Sequence, residues 1–73
     1  KPVSKDVFDS LAEDEKEMIL SFAMQVTSLT NDGDIEGALQ YINSLDLDAD
    51  WKTALWSQLD SKQRSAIKKL TVK

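Results

Sequence analysis

The chain of 73 residues contains no cysteine and no histidine. Without cysteine there is no disulfide framework and no thiolate zinc site; without histidine the commonest metal ligand and the commonest acid/base group near neutrality are both missing. Glycine occurs twice and proline once, too little glycine for a loop that cradles phosphate. No uninterrupted apolar run exceeds three residues, against the roughly 20 that cross a bilayer. The amino end also lacks the cationic-then-apolar layout of a signal peptide. An enzyme is therefore not expected: the serines have no histidine to activate them, and the acidic clusters read as helix caps and solvated faces. No cofactor, metal or membrane contact is expected either, and the chain is placed in the cytoplasm.

What is present is short, charged and helical in pattern. A chain of this length makes one domain and buries only about 60% of its unfolded surface, so its core is small and no large cavity is expected. It opens on "KPVSKD" without an initiator methionine, from which a fragment of a longer protein is expected. Residues 1–9 read as a flexible lead-in and 10–73 as a single helical domain.

The net charge of −4 is unevenly spread. Residues 1–50 hold 12 acidic and 3 basic side chains, whereas residues 51–73 hold 1 acidic and 6 basic. The basic segment attracts phosphates or an acidic peptide, and the acidic remainder repels nucleic acid. That balance disfavours a dedicated DNA-binding domain.

Helical periodicity runs through most of the chain. After Ser10, the residues Leu11, Met18, Ile19, Phe22, Ala23, Val26 and Leu29 recur largely at steps of three and four, forming one amphipathic stripe. Ser10 and Glu13 have capping-box spacing, and Glu13, Asp14 and Glu15 suit the positive end of the helix dipole. "TNDGD", residues 30–34, marks a turn. A short second helix follows, with Ile35, Ala38, Leu39 and Ile42 as its stripe; Gly37 inside it costs about 1 kcal/mol against alanine and implies close packing against a neighbour. "LDLDAD", residues 45–50, is the next break, where Asp48 or Asp50 can cap a third helix bearing Trp51, Ala54, Leu55 and Leu59. Asp60 or Ser61 then starts a fourth, with Ala66, Ile67 and Leu70 inward and Lys68 and Lys69 suited to its negative end. No strand pattern appears. The expected fold is all-α, a small bundle of three to four short helices.

Two acidic turns invite comparison with calcium loops. Asp32, Asp34, Glu36 and Gly37 match the spacing of the first half of an EF-hand loop, but Asn43 stands where the closing bidentate glutamate belongs. In "DLDAD" from Asp46, Trp51 occupies the position of the loop glycine. Both read as turns with acidic helix starts.

The basic end is the remaining candidate site. At about 100° per residue, Lys62, Arg64, Lys68 and Lys69 share one side of the fourth helix, opposite Ala66, Ile67 and Leu70. Any solvated surface helix shows charge opposite an apolar stripe, so this face alone is not diagnostic. Trp56 adds weight: it falls about 100° from the centre of the Leu55/Leu59 stripe, where it either faces a partner or packs on the next helix of its own bundle. The expected partner-binding set is Trp56, Lys62, Arg64, Lys68 and Lys69.

The block "ALWSQLDSKQRSAIKKL" resembles the carboxyl-terminal ends of bacteriophage recombination proteins, including single-strand annealing proteins of the ERF and RecT-like groups. The matching positions are Leu55, Trp56, Leu59, Asp60, Ser61, Arg64, Ser65, Ala66, Ile67 and Lys68, within a block of 17 of the 73 residues. The preceding helices match no family pattern. The resemblance implies an accessory domain of a phage protein acting in a bacterial host, one that recruits the phage exonuclease or the host single-stranded-DNA-binding protein. The residues also leave open a weak single-stranded DNA-binding module, with Trp56 stacking on a base, and a structural or oligomerisation domain.

Overall fold

The computed structural model describes residues 6–71, with residues 1–5, 72 and 73 outside the description. The described residues form five helices and no strand: α1 (Asp6–Asp9), α2 (Glu13–Asn31), α3 (Ile35–Ser44), α4 (Ala49–Ser57) and α5 (Ser61–Thr71). The all-α bundle read from the sequence is the fold. α2 packs against α3 and α4, α3 against α5, and α1 against α4. Residues 6–9 of the expected lead-in are thus helical, and Val7 and Phe8 lean on the core. The rest of that lead-in lies outside the described residues.

The turns explain how one chain makes so many short helices. Ser10 does not cap α2; its Oγ donates to the Val7 carbonyl at 2.8 Å and closes α1. The cap position falls two residues later at Ala12, whose backbone N–H donates to Glu15 Oε1 at 3.0 Å. Only half of a capping box exists there, because alanine has no side-chain acceptor to return the bond. α2 ends in a Schellman arrangement: Gly33, at φ 81°, donates to the Thr30 carbonyl at 3.0 Å, and Asp34 N–H reaches the Leu29 carbonyl at 2.9 Å. Asp34 then opens α3 by accepting from Gly37 N–H at 2.9 Å. A Cβ at residue 37 would collide with that carboxylate. The neighbour that Gly37 accommodates is therefore the cap, not another helix.

Asp48 caps α4 through Trp51 N–H at 2.9 Å. Asp60 and Gln63 form a full reciprocal capping box at α5, with Gln63 N–H to Asp60 Oδ1 at 2.8 Å and Asp60 N–H to Gln63 Oε1 at 3.0 Å.

The core is built from Ile19, Ala23 and Val26 of α2, Ala38 and Ile42 of α3, Ala54 and Leu55 of α4, Leu59 at the α4–α5 corner, and Ile67 of α5. Three alanines among these nine let helix axes approach closely, since each spends little volume at the contact. Leu29, Trp51 and Trp56 are half-buried around it. Met18, expected on the inward stripe, is 49% exposed. It sits at the edge of the stripe, about 100° around the helix from Ile19.

Candidate functional site

The basic candidates sit on α5 and at its corner with α4. The corner is made by the end of α4 at Ser57 and the Asp60 cap, with buried Leu59 between them as the apolar pin. Buried Ser57 satisfies its hydroxyl within its own helix, donating to the Ala54 carbonyl at 2.6 Å. Gln63, in the first turn of α5, crosses to α2: its Nε2 donates to Thr27 Oγ1 at 2.8 Å and Thr30 Oγ1 at 3.2 Å. This amide fixes the rotation of α5 about its axis.

With that rotation set, Lys62, Lys68 and Lys69 are exposed while Ile67 is fully buried. Lys62 and Lys69 stand two turns apart on one stripe, with exposed Ser65 between them and Lys68 on its far edge. Lys68 and Lys69 lie in the last turn, where the helix dipole favours cations.

Arg64 differs from the lysines. It is half-buried, and its Nη1 donates to the Trp56 carbonyl at 3.1 Å and to the Leu59 carbonyl. The Trp56 carbonyl lies in the last turn of α4 and also accepts from Leu59 N–H at 3.2 Å, while the Leu59 carbonyl lies in the corner just past the helix. The guanidinium thus caps α4 from α5. Trp56 is half-buried and packs against the core. Arg64 and Trp56 do meet, but through the tryptophan's backbone.

The acidic turns are occupied by helix capping. Asp34 and Asp48 each hold a backbone N–H, and among the described residues no group of three or more carboxylates is placed to hold a metal ion. No helix of the described residues is long and apolar enough to cross a membrane.

A second surface was not anticipated. Leu20, Ala23, Met24, Thr27, Ser28 and Asn31 of α2, with Gln58 from the corner, line an open groove of about 640 Å³. Leu20 is 44% and Met24 73% exposed. Their signal was present in the sequence: two apolar residues at i and i+4 that do not belong to the Ile19/Ala23/Val26 stripe.

No family model, no curated protein and no solved structure matches the chain.

Proposed function

We propose that this chain is an accessory protein-interaction domain of a phage DNA recombination protein of the single-strand annealing kind. Its task is to recruit a protein partner, the phage exonuclease or the host single-stranded-DNA-binding protein, through an acidic segment of that partner. The observation that carries the recruiting role is the exposure of Lys62 and Lys69 on one stripe of α5, in a chain whose first 50 residues hold 12 acidic side chains against 3 basic. A short acidic peptide needs only the lysines, whereas a long nucleic-acid polyanion meets more of the repulsion from that acidic majority. The place in recombination rests on the resemblance of the block from Ala54 to Leu70.

Calorimetric titration with a peptide bearing the acidic tail of the host single-stranded-DNA-binding protein, and separately with single-stranded DNA, tests this reading. Peptide binding is expected to weaken by about tenfold when Lys62→Glu and Lys69→Glu are combined, since each lost contact turns repulsive. Arg64 is left intact because it holds α4. Binding that survives the double change makes the lysine stripe mere solvated surface. DNA binding that strengthens at low salt, with none to the peptide, replaces recruitment by weak strand binding.

A further inference from the structure

α2 carries two seams. One is the core stripe; the other runs through Glu13, Glu17, Leu20, Met24, Thr27 and Asn31, at alternating steps of four and three. That alternation is the spacing of a helix-pairing seam. Five of its six residues are exposed, and Thr27 is half-buried where Gln63 holds it. Among the described residues Leu20 stays 44% and Met24 73% exposed.

We infer that this seam pairs with the same seam of a second copy, the two α2 helices running antiparallel about a two-fold axis. The spacing reads the same in both directions, so antiparallel overlay places seam residue on seam residue. Leu20 of each copy then meets Met24 of the other, Glu17 meets Thr27, and Glu13 meets Asn31.

Charge selects this occupant. The amino end of the seam is acidic, and Glu17 makes no ion pair among the described residues. The other end adjoins the first turn of α5, because Gln63 is bonded to Thr27 and Thr30. Lys62, the preceding residue, is exposed there and likewise makes no ion pair among the described residues. Antiparallel pairing therefore brings Glu17 of each copy to Lys62 of the other, twice per dimer. Parallel pairing would stack Glu17 on Glu17 and leave both lysines alone, so the ends of the seam fix its direction.

The interface is small. α2 spans about 28 Å at 1.5 Å per residue, and a contact of two apolar layers falls below the roughly 1,200 Å² of stable complexes. A dissociation constant on the order of 100 µM is expected, a weak association that a shared tether would strengthen through effective concentration.

Sedimentation equilibrium over about 20 µM to 1 mM, bracketing that constant, is the test, read together with the Met24 methyl resonance on dilution. Dimer formation with a shift at Met24 is expected. Met24→Lys should weaken it by more than about tenfold, since it buries two charges in the apolar layers; the residue's exposure keeps the fold out of the comparison. Glu17→Lys or Lys62→Glu alone should each weaken the dimer by about threefold to tenfold, because each loses two pairs of surface strength. The two combined should restore it. A chain that remains monomeric at the highest concentration overturns the inference. So does a dimer indifferent to Met24→Lys, or one that the paired charge exchange fails to restore.

Discussion

Arg64 shows how one side chain can look like a surface and act as a joint. Its helical position places it on the edge of the cationic face, but its guanidinium serves the Trp56 carbonyl in the last turn of α4 and the Leu59 carbonyl of the corner. Charged hydrogen bonds of this kind are worth about 1.5 to 3 kcal/mol when buried. Half-exposure brings the expected loss for Arg64→Met down to about 1 kcal/mol, read as a lower urea midpoint with unchanged slope. Arg64→Lys should recover only part, since an ammonium lacks the planar fork. A midpoint identical to that of the parent chain would place the guanidinium in solvent. Asp46 is a second instance: its φ of 51° puts it in the left-handed region, which aspartate tolerates better than most residues because its short side chain bonds locally. This is how "LDLDAD" turns within two residues without a glycine.

At the scale of the element, the helix starts were legible and their exact caps less so. Asp34, Asp48 and Asp60 each accept a backbone N–H three residues on, and aspartates before an apolar stripe announce that role in any sequence. The exception is α2. Ser10 with Glu13 has the right spacing but lost the competition, because α1 uses the serine hydroxyl to close its own turn. The true cap, Ala12, is extended at φ −66° and ψ 159° and offers no acceptor. Ala12→Ser should therefore complete the box with Glu15 and raise stability by about 0.5 to 1 kcal/mol. Thermal melting by circular dichroism reads this as a higher midpoint, and an unchanged midpoint would mean that the acidic first turn already saturates the helix end. The short α1 was invisible beforehand because a single turn has no period to detect; tertiary contact of Val7 and Phe8 holds it.

For the whole molecule, stability rests on few residues. The radius of gyration is 11.7 Å, near the roughly 11 Å of a compact domain of this length, yet nine apolar residues are buried among the described residues. α5 contributes one of them, Ile67, packs against α3 and is tied further by Gln63 and Arg64. Ile67→Ala should cost about 2 to 4 kcal/mol, a large share of the roughly 4 to 11 kcal/mol available to a domain of this size. Denaturant unfolding should show α5 detaching or the whole bundle shifting to a lower midpoint; a loss below about 1 kcal/mol would mean the site collapses around the gap. This also bears on the block from Ala54 to Leu70, on which the proposed place in recombination rests. Asp60 caps α5, Arg64 caps α4, Leu59 and Ile67 are core, and Trp56 leans on it. Most of the resembling positions keep the corner in shape, so they report on fold more directly than on partner.

The sequence by itself determined the helical class, the breaks near Gly33, Asp48 and Asp60, most of the core stripe, and the gathering of positive charge on the last helix. Those properties are local: period, cap chemistry and charge follow from residues within a turn or two of one another. Only the tertiary structure decided that Arg64 belongs to the corner while Lys62 and Lys69 face solvent. It also decided that Trp56 is half-buried and that Leu20 and Met24 lie along an uncovered groove. Each of these depends on how the helices are rotated against one another, which packing of α2 on α3 and α4 and the Gln63 bonds from α5 to Thr27 and Thr30 set across the chain. No periodicity within a single helix encodes that angle, because helical spacing says which residues share a face and leaves open which of two faces the neighbours will cover.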